Sequence, residues 1–196
     1  MPQRNNNENP IGAIPTRYRS CWFRSRLEAR WAVFFDRMGI GWQYEPQGYY
    51  VGGKPYLPDF LLDCGTWVEV KGNDQFLDRD LMRNAGLQLP AMPAKNERGP
   101  RLMVLGPPPL PLDDDGPGDY GWLAFEPDGR GDELLCSTYS FGRYGKNNRP
   151  WWVDERDAHG GGSWLRPTFL SGEPDASSAY AAANVARFEH GQSGAA

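Results

Sequence analysis

Two neighbouring stretches, YLPDFLL at residues 56–62 and WVEVKG at residues 67–72, decide how the rest of the chain is interpreted. Both are rich in the apolar residues that favour β-strands. The four residues between them, DCGT, include the Asp and Gly that are typical of tight turns. The sequence therefore predicts a β-hairpin over residues 56–72.

Three charged side chains of this hairpin, those of Asp59, Glu69 and Lys71, are expected to lie together. Side chains alternate across a strand, so Glu69 and Lys71 share one face while the two valines beside Glu69 point to the other. Carboxylates on neighbouring strands can chelate a hard divalent cation such as Mg²⁺ through oxygen, with waters completing its shell. A lysine beside such an ion can orient an attacking water or neutralise charge that develops on a phosphate. The pattern thus predicts a metal site suited to phosphoryl chemistry.

The order of these residues resembles the signature of the PD-(D/E)XK nuclease superfamily. Pro58-Asp59 is followed by nine residues and then by Glu69-Val70-Lys71, and the resemblance covers residues 20–106. It implies an α/β (α+β) fold with a restriction-endonuclease-like core of αβββαβ order, a mixed central sheet, and hydrolysis of DNA phosphodiester bonds by an endonuclease or exonuclease. It also implies that Asp59, Glu69 and the backbone carbonyl of Val70 bind Mg²⁺, for which Mn²⁺ can substitute. Lys71 would then position the water or stabilise the charged transition state.

Several other interpretations of the same residues stay open. Asp59 can be an ordinary acid at a strand edge, and Glu69 with Lys71 a solvated pair on one face of a sheet. The chain can also be a DNA-binding domain of the same fold that cuts nothing, or a subunit of a transposase, repair or phage complex that cleaves only when assembled. The last alternative is a small α/β interaction protein with a coincidental motif. Only that alternative predicts that the three residues do not converge in space.

A helix is predicted from Arg24 to Met38, ahead of the hairpin. Ser25-Arg26-Leu27-Glu28 fits the capping box S-x-x-E, apolar residues recur at helical spacing, and Gly39 ends the run. Glu28 has two candidate roles. Within the capping box it folds back on the backbone N–H of Ser25. In many members of the superfamily that the chain resembles, this helix supplies an acid that faces the metal through water, which makes Glu28 a candidate catalytic residue and metal ligand.

The remaining elements of the core are also predicted in the αβββαβ order. Residues 40–51 have an aromatic strand pattern that leads into a turn at Gly52-Gly53-Lys54. A second helix is predicted over residues 74–85, with Asn73 or Asp74 as its cap. A short buried strand over residues 101–105 completes the core.

Charge is distributed unevenly along the chain. The net charge of −4 and the pI of about 5.2 exclude a protein that coats nucleic acid through its bulk charge. Residues 1–37, however, hold seven arginines against three acids. A basic arm and first helix can therefore follow DNA phosphates, although a solvated arginine-rich surface has the same pattern. The candidate DNA-binding residues are Arg24, Arg26, Arg30, Arg79 and Arg83.

The chain divides into four predicted regions. Residues 1–19 are a basic flexible arm and residues 20–110 are the nuclease-like core. Residues 111–175 form a small, loop-rich, irregular β extension, in which residues 120–125 and 134–141 are expected to pair as strands. Residues 176–196 are a flexible tail with one short helix around residues 179–188.

Composition also indicates the compartment and the partners. The sequence has no apolar run long enough to cross a bilayer and no apolar signal core at its start, so we expect a soluble cytoplasmic protein without a membrane partner. Three widely spaced cysteines favour a reducing compartment. The expected partner is DNA. A homodimer or a larger nucleoprotein complex is compatible with this prediction, because cutting both strands usually needs two active sites.

Overall fold

The computed structural model describes residues 13–72, 77–90, 101–108 and 176–188, together with four strands between residues 123 and 154. These parts contain twelve strands and three helices. In chain order the strands are β1 (Thr16–Tyr18), β2 (Cys21–Phe23), β3 (Trp42–Tyr44), β4 (Tyr49–Val51), β5 (Lys54–Tyr56), β6 (Phe60–Leu62), β7 (Trp67–Val70), β8 (Leu102–Leu105), β9 (Leu123–Pro127), β10 (Leu134–Ser137), β11 (Tyr139–Tyr144) and β12 (Arg149–Asp154). The helices are α1 (Arg26–Met38), α2 (Arg79–Gln88) and α3 (Ala176–Val185).

A six-stranded mixed sheet lies at the centre, with the spatial order β10-β9-β8-β7-β6-β3. Strands β7 and β8 are parallel and all other neighbours are antiparallel. The parallel pair is joined through α2, because parallel strands need a crossover connection. Along the chain the elements α1, β3, β6, β7, α2 and β8 follow one another, with the β4–β5 hairpin inserted between the first two of these strands. The protein is therefore a mixed α/β fold.

The predicted strand over residues 40–51 is in fact two short strands that belong to different sheets. Strand β3 pairs with β6 in the central sheet, whereas β4 pairs with β5 in a separate hairpin. Glu45, which follows β3, has a φ of 43°. This left-handed backbone conformation is uncommon for a residue other than glycine, and it ends the extended strand. The predicted turn is confirmed at Gly52 and Gly53, whose φ values of 56° and 77° suit glycine.

Both faces of the central sheet are covered. Phe60, Leu62 and Val68 face a core built with α1 and α3. Leu61 and Trp67, which have the opposite parity, face a second core with α2 and the β4–β5 hairpin. The nearly continuous apolar character of β6 and β7 follows from this burial on both sides.

The predicted helix caps are partly confirmed. Helix α1 begins at Arg26, two residues later than predicted, because the Ser25 side chain accepts a hydrogen bond from the Glu28 N–H and is the N-cap. It ends at Gly39, which has the left-handed φ of 68°. Helix α2 is capped by Asp78 and runs to Gln88, past the predicted end. The predicted caps of this helix, residues 73 and 74, lie outside the described residues.

The regions outside the predicted core take part in the same fold. Strands β9 and β10, expected as a pair, extend the central sheet beyond β8. Residues 16–18 of the predicted arm pair with β2 as strand β1. In the predicted tail, α3 packs on α1, and the buried Tyr180 ring stacks on Phe34 with 4.5 Å between ring centroids. In the described part of the chain, no helix is long and apolar enough to span a membrane.

Candidate active site

The two carboxylates predicted as metal ligands meet where β6 and β7 adjoin. Asp59 immediately precedes β6, and its Oδ2 accepts a hydrogen bond of 2.6 Å from the backbone N–H of Val70. In the regular pairing of β6 with β7, only Phe60 and Leu61 of β6 have partners. The hydrogen bond from the Val70 N–H to the Asp59 side chain therefore joins the two strands beyond their last backbone pair. Asp59 and Glu69 are 3% and 6% exposed, respectively. Two acids thus lie in a largely buried setting, where each carboxylate needs a partner.

Both carboxylate oxygens of Glu69 have a partner in the protein. The Lys71 ammonium lies 2.6 Å from Oε1, and the buried Tyr56 hydroxyl donates a 2.9 Å hydrogen bond to Oε2. The predicted pairing of Glu69 and Lys71 on one face is therefore observed. Because the Lys71 side chain is still 35% exposed, its ammonium reaches from the buried acid towards solvent.

Arg24 bridges two acids in front of helix α1. Its Nη2 lies 2.8 Å from Asp59 Oδ1 and its Nε lies 2.5 Å from Glu45 Oε1. Glu45 has the positive φ described above, and its N–H donates to the Asp59 carbonyl. A strained backbone conformation persists only where the surrounding structure holds it. At Glu45 this conformation brings the side chain into contact with Arg24. The sequence predicted a phosphate contact for Arg24, whereas the structure places its side chain on the site carboxylates.

Glu28 takes part in the N-terminal cap of α1, as one of its two predicted roles requires. Its Oε1 accepts from the Ser25 hydroxyl at 2.7 Å. Its Oε2 accepts from the Arg24 backbone N–H at 3.0 Å and from the Tyr44 hydroxyl at 2.5 Å. The side chain therefore folds back on Arg24, one residue earlier than the predicted Ser25 N–H. Its role towards a metal stays a prediction.

Burial, followed by the charge of neighbouring acids, has the largest influence on the pKa values at the site. The pKa of Asp59 is raised from 3.8 to about 8, mainly by burial and also by the neighbouring carboxylates of Glu69 and Glu28. The Val70 N–H and the Arg24 guanidinium lower this pKa without cancelling the rise. Burial and Glu69 also raise the pKa of the Tyr56 hydroxyl, which keeps it a hydrogen-bond donor.

The donor chemistry of this site fits a hard divalent cation. Four carboxylates face two cationic side chains: Glu28, Glu45, Asp59 and Glu69 against Arg24 and Lys71. Among the residues with described side chains, no three of His, Cys, Asp or Glu lie close enough to hold a metal between them. An ion held by the two carboxylates of Asp59 and Glu69, a backbone carbonyl and waters, as Mg²⁺ often is, stays a prediction.

The other candidate DNA-binding arginines lie outside this cluster of contacts. Arg26 is exposed on the first turn of α1, and Arg30 is half-buried one turn further on. Arg79 and Arg83 are exposed on α2. Their assignment as phosphate contacts stays a prediction.

Two tyrosines at the site were missed by the sequence reasoning. Tyr56 holds Glu69, and Tyr44 holds Glu28. A signal for Tyr56 is present in the sequence, since a tyrosine expected in an apolar strand needs a partner for its hydroxyl and three acids follow it in the same hairpin. Tyr44 has no such local signal, because its partner comes from a helix sixteen residues earlier.

Comparisons of the chain with protein-family models, with curated proteins and with solved structures find no match.

Proposed function

We propose that this protein is a Mg²⁺-dependent deoxyribonuclease that hydrolyses phosphodiester bonds with a PD-(D/E)XK site. The observation that carries the proposal is the convergence of Asp59, Glu69 and Lys71 at the adjoining ends of β6 and β7. A coincidental motif would leave these side chains apart, so their convergence argues against an interaction protein that merely contains the sequence pattern.

The order of the elements supports the same proposal. The strands β3, β6, β7 and β8 are neighbours in one sheet, the last two are parallel, and α1 and α2 occupy the expected places in the chain. This arrangement is compatible with a restriction-endonuclease-like αβββαβ core. The β4–β5 hairpin would then be an insertion, and β9 and β10 an extension of the sheet.

Each residue has a distinct role in the proposed mechanism. Asp59, Glu69 and the Val70 carbonyl would hold Mg²⁺, or Mn²⁺ in its place. The ion, when bound, supplies Lewis-acid stabilisation of the phosphate and lowers the pKa of water. Tyr56 fixes the orientation of Glu69 through its hydroxyl. Lys71 orients the attacking water or neutralises charge that develops on the phosphate, since its ammonium reaches solvent beside Glu69.

Glu28 contributes its charge and its position. It helps to raise the pKa of Asp59, so its carboxylate acts on the same charge cluster. The Glu28 carboxylate accepts hydrogen bonds from three groups of the protein, which fix its position. From this fixed position it would orient a water near the ion.

A second candidate is a DNA-binding subunit of the same fold that cleaves only with a partner. The observation that favours it is the ion pair between Arg24 and Asp59, which neutralises one of the two metal ligands in the free protein. The acidic net charge of −4 also favours a partner that supplies part of the DNA contact.

The decisive experiment is cleavage of labelled duplex, single-stranded and branched DNA with Mg²⁺ or Mn²⁺, with EDTA as the metal-free control. We expect metal-dependent products, and at least about a 100-fold loss of rate in Lys71→Ala, the scale on which removal of a transition-state contact acts. The matched control is Lys54→Ala, which removes an exposed lysine paired with Asp78 and should cleave normally.

Two outcomes would change the proposal. Equal cleavage by the wild type and Lys71→Ala would exclude the site as the nuclease centre. DNA binding without products, in a variant series with unchanged circular dichroism, would favour the partner-dependent subunit.

A further inference from the structure

We propose that Arg24 is the resting counter-cation of the metal site, which leaves Asp59 when a divalent cation binds and then becomes available to a DNA phosphate. This inference rests on the proposed function. It adds that the contact of Arg24 with DNA depends on the metal. The sequence assigned Arg24 to DNA, but gave no reason for its contact to be conditional.

Arg24 is suited to a reversible contact by its exposure. The Asp59 side chain is 4% exposed, whereas that of Arg24 is 57% exposed. The ion pair therefore joins a fixed buried acid to a side chain that reaches it from solvent. In the part of the chain with described side chains, Arg24 is the cation recorded on Asp59, since the Lys71 ammonium pairs with Glu69.

The hydrogen bonds of Asp59 determine which oxygen a metal can use. Its Oδ2 accepts from the Val70 N–H at 2.6 Å, and this bond joins the ends of β6 and β7. Its Oδ1 is the oxygen that Arg24 contacts at 2.8 Å. A metal bound through Oδ1 would place a second positive charge beside the guanidinium, and like charges at such short range repel strongly in a buried site. Metal ligation and the Arg24 contact are therefore mutually exclusive at Oδ1.

Glu45 keeps the released arginine near the site. Arg24 contacts Glu45 through Nε and Asp59 through Nη2. The contact with Asp59 can therefore break while the contact with Glu45 remains. The Nη2 group of the guanidinium, which contacts Asp59, then becomes available as a donor. Paired N–H donors in a planar fork match the oxygens of a phosphate, which is the reason arginine is favoured in such contacts.

The consequence is a reciprocal coupling between the metal and DNA. If metal binding releases Arg24 for a phosphate, a phosphate that binds Arg24 must favour metal binding by the same factor. In the free protein Arg24 and Lys71 would contact the two acids, and full DNA affinity would be gained only when the ion is present.

The test compares Mg²⁺ affinities measured by calorimetry without DNA. Wild type, Arg24→Gln and Arg37→Gln are titrated at about pH 9, where proton competition for Asp59 is reduced. Arg37→Gln is the matched control, because it removes an equal charge from an exposed residue at the other end of α1. Loss of the competing cation should tighten Mg²⁺ binding roughly 5-fold in Arg24→Gln, the scale of a partly exposed ion pair, and leave Arg37→Gln unchanged.

A second measurement tests the coupling to DNA. In a Lys71→Ala background, which prevents cleavage, fluorescence anisotropy gives the DNA affinity with Mg²⁺ and with EDTA. Mg²⁺ should increase the DNA affinity of Lys71→Ala, and this increase should be several-fold smaller when Arg24→Gln is added. Arg24→Lys keeps the charge but lacks the fork that reaches both acids, so its Mg²⁺ affinity should fall between wild type and Arg24→Gln; it keeps the test valid if Arg24→Gln fails to fold.

The failures of the two proposals are distinguishable. Mg²⁺ binding that needs Asp59 but is equal or weaker in the Arg24 variants would overturn the inference alone, since Arg24 would then be a fixed structural partner. No Mg²⁺ binding in any variant, wild type included, would overturn the proposed nuclease site and the inference with it.

Discussion

The two ends of helix α1 carry polar networks of opposite kinds. Near the C-terminal end, Asp36 accepts hydrogen bonds from the Tyr18 hydroxyl at 2.8 Å and the Trp42 indole at 3.1 Å, and it pairs with Arg19 at 3.1 Å. There, one carboxylate meets one cation and two neutral donors. At the N-terminal end, four carboxylates meet two cations.

The two networks differ in the balance between carboxylates and cations. At Asp36 one carboxylate is matched by one cation and two neutral donors, an arrangement that stabilises the fold. A buried group of acids with too few cations is costly, and it persists where function requires the charge. This excess of acids is the reason that a functional site is proposed beside the N-terminal end of α1, and equivalent substitutions in the two networks should have opposite consequences.

The largest expected effect comes from the pair Asp59→Asn and Asp36→Asn, compared in the cleavage assay. Asp59→Asn removes a proposed metal ligand and should lower the rate by about 100-fold or more, the scale of a lost transition-state interaction. Asp36→Asn leaves the site intact and should cleave like the wild type. Equal losses of rate in both variants, at equal folded fractions, would contradict the division between the two ends.

The pH dependence of stability should sharpen the same comparison. The pKa of Asp59 is raised to about 8 in the folded protein, so between pH 4 and 8 the folded state binds a proton that the unfolded state has lost. The free energy of unfolding should therefore fall as pH rises through this window, by up to a few kcal/mol at alkaline pH. Asp59→Asn should remove this decline. Thermal unfolding from pH 4 to 9 provides the measurement, and parallel profiles for the two proteins would argue against a raised pKa.

Asp36→Asn should instead destabilise the protein. An amide cannot accept all the bonds that Tyr18, Trp42 and Arg19 donate, which leaves polar groups with poor partners. The expected loss is about 2 kcal/mol in the free energy of unfolding, measured by urea denaturation. Asp59→Asn should show no comparable loss at pH 8, because it removes a buried charge that is costly there. A stable Asp36→Asn would mean that its network contributes little.

Tyr56→Phe tests whether the Tyr56 hydroxyl positions Glu69, the second proposed metal ligand. It removes the hydroxyl that orients Glu69, with little change in volume. We expect roughly a 10-fold loss of kcat/KM, as is common for residues that position metal ligands. Unchanged kcat/KM would show that Lys71 alone orients Glu69.

Glu28→Gln should give the smallest effect. The amide keeps one acceptor for the Arg24 N–H and the Tyr44 hydroxyl, so the loss of stability should be about 0.5–1 kcal/mol, the range of a weakened cap. Removing the charge should lower the cleavage rate roughly 3-fold. A rate equal to the wild type, with the expected loss of stability, would limit Glu28 to its capping role.

The sequence by itself determined the features that depend on local patterns. Alternation placed Glu69 and Lys71 on one face, the spacing of apolar residues gave α1, and glycines marked the turn at Gly52-Gly53 and the end of the helix. These features are set by backbone sterics and by the period of a strand or helix, which act between residues close in the chain.

Only the tertiary structure decided which side chains complete the site. Arg24 reaches Asp59 from 35 residues away, and Tyr56 reaches Glu69 from 13. The division of residues 40–51 between two sheets, and the packing of α3 on α1, likewise depend on partners remote in sequence. Periodicity specifies the face on which a residue lies but not the residue that it will meet there, because burial and charge balance are properties of the assembled fold.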